Sequence, residues 1–381
     1  MQASTIGTPT AGHCGTIFVA IELSQKTWLV TLHSPDRDRI SRHKFEGGDH
    51  GGLLSLIEKV RARVAQKLGS VPRVVSCYEA GYDGFWLHRL LEAAGITNFV
   101  FDAASIAVEQ RARRAKTDRI DGELLLRTLM AHLRGEPRVV RIVRVPSVEA
   151  EDARRASRER DRLVKEQTAH TNRIKGLLRL VGMAVGNPRR RDWLAWLDRQ
   201  RDWQGQPVPP HLLAEVKREH ARLMLLRDQL AALEQAQAAD ATVPAAMVER
   251  RNQLQRLKAL GPAFSTTLVN EVFYKDFRNR REVASYNGLA PSPWKSGGID
   301  REQGISKAGN HRARHKAIEL AWLWLRHQPD SALSCWFRAR TLHAGKRARR
   351  IAIVALARKL IVALWRYLTT GLVPEGAAMK A

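Results

Sequence analysis

The sequence predicts an α/β domain followed by a mainly helical half. Three observations carry that reading. Short apolar runs rich in β-branched residues alternate with helical patterns in the N-terminal third. Two long stretches with four-three apolar spacing fill the middle. The remainder is helical apart from one segment broken by Pro291, Pro293, Gly297 and Gly298. A length of 381 residues leaves room for two or three domains and a sizeable core.

In chain order, residues 1–14 read as a flexible tail. Thr16–Leu23 is a short apolar strand, Thr27–His33 a second, and Ile40–Phe45 a third, more polar strand nearer an edge. Leu53, Leu54, Ile57, Val60 and Val64 have helical spacing within a helix over Gly51–Leu68. Arg73–Tyr78 is a fourth strand, and Phe85–Ala94 a helix that ends at Gly95. Asn98–Phe101 is a fifth strand, and a helical run from about Ala104 to Leu133 follows. The order β-β-β-α-β-α-β-α is that of the ribonuclease H and Holliday-junction-resolvase (RuvC-like) fold, here over residues 15–146.

Gly135–Val145 is a basic, β-rich connector. Ser147 is placed to cap a helix that runs to about Val181, and a second long helix spans Pro210 to about Ala239. Over residues 147–255 these stripes suit a coiled-coil arm, an oligomer seam or a helical bundle. Trp193 and Trp196, interleaved with arginines between the two helices, suit stacking on unpaired bases or capping the tip of a coiled coil. Residues 256–381 form a mainly α C-terminal domain in which Gly288–Gly298 is a loop.

Charge restricts the function. The formal net charge is +26, Arg-rich and spread along the whole chain, which points to an extended nucleic-acid surface. Cys14, Cys77 and Cys335 form no CxxC pair, which argues against a disulfide framework or a zinc site and for a reducing cytoplasm. The N-terminus lacks the pattern of a secretory signal. Arg358 and Lys359 interrupt the apolar run Ile351–Leu368, so no membrane span is expected.

The chemistry centres on Lys116-Thr117-Asp118-Arg119-Ile120-Asp121. Asp118 and Asp121, three apart on a helix, share one face with Cβ atoms about 5–6 Å apart. Such a pair repels itself unless a cation lies between, and Arg111, Arg113, Arg114, Lys116 and Arg119 surround it with a phosphate-binding patch. Glu22 closes the first strand and Glu79 the fourth, where ligands of open α/β sheets collect. Together the four acids could hold two magnesium ions about 3.5–4 Å apart. Asp102 and Asp83 are rival ligands, and taken singly each acid also reads as a solvated carboxylate. In the last domain Ser296 lies beside two glycines, after Lys295 and before the basic helix carrying Arg312, Arg314 and Lys316. Ser292 and Ser306 are its rivals, and loop serines are ordinarily turn formers.

The pieces IELS, YEAGYDGFWLHRLL, KTDRID, GLAPSPWKSGG and GISKAGN together resemble the DEDD-type transposases of the insertion-sequence "one-ten" group, which are bridge-RNA-guided DNA recombinases. The resemblance runs from about residue 15 to 345. It implies that Ser296 is the nucleophile and that the partners are donor and target double-stranded DNA. It further implies a structured guide RNA, a homo-oligomer (dimer or tetramer) and a cytoplasmic place at the bacterial nucleoid. One position departs from the family: its first acid is usually aspartate, and here it is Glu22. Two other readings stand beside this one: a water-using, resolvase-like endonuclease and a non-catalytic basic nucleic-acid-binding protein.

Overall fold

The computed structural model describes residues 15–106, 118–137, 139–240, 243–296 and 298–380, with the side chains of 38, 118–120, 294–296 and 299–302 outside that description. The chain divides into two compact units, Met1–Pro146 and Ser147–Ala381.

The first unit is built on a five-stranded sheet of order β3-β2-β1-β4-β5. The strands β1 (Thr16–Glu22), β2 (Thr27–Ser34) and β3 (Arg37–Glu46) form an antiparallel meander. Parallel pairs add β4 (Arg73–Glu79) to β1 and β5 (Thr97–Phe101) to β4. Strand β1 is central and is covered on both faces, which is why it reads as a continuous apolar run rather than an alternation. Its Ile17, Val19 and Ile21 pack with Leu53, Ile57, Val60 and Val64 of α1 (His50–Leu68) and with Leu87 and Leu91 of α2 (Trp86–Ala93). Asp49 caps α1 by accepting from the Gly52 amide at 2.8 Å, and Gly69 ends it in the left-handed conformation. Phe18 and Ala20 face the other way and pack, with Val75 and Cys77, on Leu125, Leu126 and Leu129 of α3 (Asp118–Leu133).

The expected single helix from Ala104 is corrected at its start. Asp102 instead accepts from the Ala104 amide, at 3.2 Å, and caps a short 3-10 turn over Ala103–Ser105. Ile106 is extended, with φ −68° and ψ 125°. An Asx-type side-chain bond gives the backbone an alternative to the α-helix, and here it wins. The basic residues Arg111, Arg113, Arg114 and Lys116 lie outside the described residues. The connector before Pro146 is irregular rather than β-rich. It still covers the open edge of β5, through Val143 N–H to Val100 O at 2.8 Å and Asp102 N–H to Arg141 O at 2.9 Å.

The second unit begins with α4 (Val148–Asp152), which Ser147 caps through the Ala150 amide, and α5 (Arg155–Arg179). The predicted continuous helix is therefore broken at Ala153–Arg154. Next come α6 (Trp193–Asp198) and α7 (Pro210–Ala239), which starts with Pro at its first turn. α5 and α7 run antiparallel, as the pairs Arg160–Glu234, His170–Glu219 and Arg173–Glu215 show. Trp193 is buried at their end, stacked on His220 with ring centroids 4.9 Å apart, so it belongs to the core of this pair rather than to a base-stacking surface.

Beyond lie α8 (Ala245–Gln255), α9 (Pro262–Leu268) with a π-helical turn at Val269–Phe273, and α10 (Arg280–Tyr286). A hairpin of β6 (Pro291–Ser296) and β7 (Ile299–Ile305) follows, then α11 (His311–His327), α12 (Ala332–Thr341) and α13 (Lys346–Thr370). One apolar stripe of α13 (Ile353, Leu356, Leu360, Leu364) centres the core of this region, with Trp324 fully buried and Trp322 half exposed. Among the described residues no helix is long and apolar enough to cross a membrane.

Candidate active site

Two carboxylates are fixed at one end of the first sheet by strand register. β1 and β4 pair in parallel through Ile21 and Tyr78, so the next residues, Glu22 and Glu79, end neighbouring strands side by side. Neighbouring strands lie about 4.8 Å apart. Side chains alternate along a strand, so Glu22 shares the face of Phe18 and Ala20, and Glu79 shares that of Val75 and Cys77. That is the face on which α3 packs.

α3 packs on that same face. Gly122 packs against Thr31 of β2, and the Leu125 carbonyl accepts from the Cys77 thiol at 3.7 Å. Thr31 and Cys77 both pair with Ala20, two residues before Glu22. Gly122 and Leu125 therefore sit at one level of the sheet, over β2 and β4, and the first turn of α3, with Asp118 and Asp121, precedes them. Asp121 is half-buried, and Asp118 stands four residues before Gly122 on the same stripe. The side chains of Asp118 and Arg119 lie outside the described residues, and among the described residues no group of three or more His, Cys, Asp or Glu converges on a metal. Of the predicted tetrad the structure brings Glu22 and Glu79 together at neighbouring strand ends, and Asp121 stands in the first turn of α3.

The donor set suits a hard cation. Glu22, Glu79 and Asp121 offer oxygen only. The one soft group nearby, the Cys77 thiol, is pushed well above its ordinary range by burial, and the Glu79 carboxylate adds to the effect. It stays protonated beneath the carboxylates and donates to Leu125. Of the rival acids, Asp102 is occupied as a cap, and Asp83 lies in the turn after β4.

The serine segment is not a loop, as expected, but a β-hairpin. Ser296 is the last residue of β6 and pairs with Ile299, the first residue of β7. The backbone of Ser296 and Lys295 is placed at the hairpin tip, while their side chains lie outside the described residues. The rivals sit lower: Ser292 is near the start of β6, and the Ser306 amide donates to Ala290 O at 2.8 Å at the base. That base is tightly set. Lys307 N–H donates to Gly288 O at 3.1 Å and Asn310 N–H to Tyr286 O at 2.8 Å. At Gly309, with φ +102°, a Cβ would collide with the Tyr286 carbonyl.

Sequence reasoning missed the ionic cluster beneath that base. Glu271, in the π-helical turn, is 1 % exposed. It accepts from Arg158 Nε at 2.8 Å and from Asn310 Nδ2 at 3.0 Å. Burial alone would raise its carboxyl, but Arg158 and Asn310 hold it below the ordinary range. Asn310 caps α11, the helix that follows the hairpin. Arg312, expected on nucleic acid, donates to Asp161 at 2.6 Å, and Lys316 pairs with Asp161 at 3.3 Å and Glu319 at 3.0 Å. Arg314 donates to the Lys307 carbonyl at 2.8 Å. These basic side chains of α11 hold the unit together, and spacing alone gave no signal of it.

A family model described as Transposase, of the DEDD IS110 type, matches residues 19–183, and one described as Transposase IS116/IS110/IS902 family matches residues 251–336. The chain is 47% identical to y4rJ of Sinorhizobium fredii, named as a transposase, over 96% of this chain and 95% of that one. It is 28% identical to the transposase for insertion sequence element IS1111A of Coxiella burnetii, over 60% of this chain and 62% of the other. Similarity to the transposase for insertion sequence element IS1328 of Yersinia enterocolitica is 24% over 90% of this chain and 98% of that one.

Proposed function

The chain belongs to the IS110 family of insertion-sequence transposases, and from that premise we propose a site-specific DNA recombinase with an acidic metal corner, a serine nucleophile and a guide RNA. The observation that carries the metal corner is the register of β1 and β4, which puts Glu22 and Glu79 side by side on the face of α3. Glu22, Glu79, Asp118 and Asp121, on a RuvC-like scaffold, would hold two magnesium ions. Bound magnesium supplies electrophilic activation of the scissile phosphate and eases ionisation of an attacking hydroxyl.

Ser296 attacks phosphorus and forms a serine–DNA ester with release of a strand hydroxyl. A second strand's hydroxyl then displaces the serine. This keeps the bond energy within the ester, as rejoining without ATP requires, and the chain carries no GxxxxGK[ST] loop for ATP. A serine hydroxyl is a weak nucleophile that needs an activator, and no histidine adjoins Ser296 in sequence, so the acidic corner is assigned that part. The net charge of +26 supports simultaneous contact with two DNA duplexes and a structured RNA, in a dimer or tetramer. Lys116, Arg119 and Lys295 are the phosphate contacts nearest the reacting groups in sequence.

The test is a denaturing gel with intact protein, magnesium and a cleavable duplex. The parent should give a DNA-linked band that Ser296→Ala and Asp121→Asn lose and that Ser292→Ala and Ser306→Ala keep. Asp121→Asn should still bind DNA. Cleavage that persists in Ser296→Ala, with no adduct in the parent, would leave a water-using nuclease. RNA recovered with the purified chain should be one reproducible structured species; a random mixture would remove the guide.

A further inference from the structure

The second unit contains a hollow of about 960 Å³ between α10, α12, α13 and the start of β6. Its size is at the upper end of the range for ligand pockets, roughly 300–1,000 Å³. Ala284, Ala290, Leu333, Val362 and Ala363 give it an apolar floor. Arg280, Arg281, Arg358, Lys359 and Arg366 line it as well, against one acid, Glu375. Among the described residues none of these five cations forms an ion pair, whereas the basic side chains of α11 are engaged internally. Lys359 Nζ lies 4.8 Å above the ring of Trp336.

An apolar floor with four arginines and one lysine that form no ion pair among the described residues fits a ligand that is flat and apolar in one part and anionic in another. A paired duplex does not present that combination, because its base faces are stacked inside. An unpaired nucleotide does: the base enters between aliphatic side chains and guanidinium planes, and the phosphates meet the cations. We propose that this hollow binds an unpaired nucleotide of a strand passing through the second unit. It lies at Pro291, the first residue of β6, and the strand rise puts Ser296 roughly 17 Å away along the hairpin. The site would hold a strand at a fixed distance from the hairpin tip. The inference rests on nucleic acid being the substrate and does not depend on the chemistry assigned to Ser296.

The experiment uses the full chain and an oligothymidine strand of about ten nucleotides, within the usual span of single-strand sites. The strand carries one 2-aminopurine, and two controls are a strand of the same length that is abasic at every position and the same strand annealed to its complement. The parent should brighten the 2-aminopurine of the single strand. It should bind the abasic strand about tenfold more weakly, the scale of one stacked base. Arg366→Ala should lower the log–log salt slope for the strand by about 0.7. Leu372→Ser, at a residue 67% exposed on the wall of the hollow, should abolish the preference for the intact over the abasic strand and leave the salt slope unchanged. Equal binding of abasic and intact strands by the parent overturns the proposal. So does a change of oligomeric state in Ala363→Trp or Leu372→Ser with strand binding intact, which would make the hollow a seat for a second copy. Absence of binding to strand and duplex alike would overturn the substrate reading along with it.

Discussion

The contact between Gly122 and Thr31 offers a sharp test of how α3 sets the acidic corner. A Cβ at Gly122 would lie closer to Thr31 Oγ1 than carbon and oxygen atoms pack, with Thr31 Cβ at 3.4 Å and Leu29 Cδ2 at 3.8 Å. Thr31 is fully buried and β-branched, so its side chain has little freedom to turn away. In Gly122→Ala the helix gains about 1 kcal/mol of propensity, while overpacking costs about 1–3 kcal/mol. The net expectation is a loss of about 1 kcal/mol, relieved by lifting the first turn of α3. Asp118 and Asp121 ride on that turn, and a misplacement of about 1 Å can cost about a hundredfold in rate. Activity should therefore fall far more than stability. Thr31 Oγ1 has no hydrogen-bond partner among the described residues, so Thr31→Ala alone should be close to neutral. Combined with Gly122→Ala it should restore cleavage, with a coupling of about 0.5–3 kcal/mol in denaturant unfolding. The four proteins are compared by urea unfolding and by cleavage of a labelled duplex in magnesium. A Gly122→Ala protein as active as the parent, or a double variant no better than the single one, would refute this account of α3.

Two further outcomes follow from charge. Glu271→Gln removes the buried carboxylate that Arg158 and Asn310 share and leaves the half-exposed Arg158 guanidinium without its charged acceptor, which should cost about 1–3 kcal/mol by thermal unfolding. The Glu271 carboxyl titrates below its unfolded value of about 4.3, so its contribution is complete above that pH and is lost as pH falls through its folded value. Stability of the parent should drop on acidification below about pH 4.3, and the part of that slope absent in Glu271→Gln reports this group; identical slopes would contradict it. In DNA binding, contact with six or more phosphates gives a log–log salt slope of about −5 or steeper, and a nearly flat plot would argue against an extended basic surface.

Much of the first sheet was legible because burial leaves a plain mark on sequence. β1 and β4 are apolar runs bounded by turns, and their observed ends lie within a residue of the expected ones. β3 extends further, Arg37–Glu46 against the expected Ile40–Phe45, because an edge strand with a solvated face carries little apolar signal. The hairpin of β6 and β7 was missed for a related reason. Pro291 and Pro293 look like breakers, yet a two-stranded ribbon leaves outward N–H positions unpaired, and proline is tolerated there. The turn at Asp102 was hidden by helical spacing on either side, which a single side-chain bond to the Ala104 amide overrides.

The acidic corner shows which part of a site can be read from sequence and which part needs topology. That Glu22 and Glu79 close strands follows from local pattern alone. Their partnership requires β1 to lie beside β4, a non-local fact that the sheet order β3-β2-β1-β4-β5 supplies. Register then does the rest. Shifting β1 by one residue would turn Glu22 towards the apolar layer of α1 and α2, where Ile17, Val19 and Ile21 belong, and would expose Phe18 and Ala20 to that same exchange. The buried apolar residues of β1 therefore hold the orientation of its terminal carboxylate, so the corner is fixed by the core beneath it. Glu271 had no such local mark: nothing in its neighbours Asn270 and Val272 distinguishes it from a surface acid, and its role arises only where α5, the π-helical turn and α11 meet.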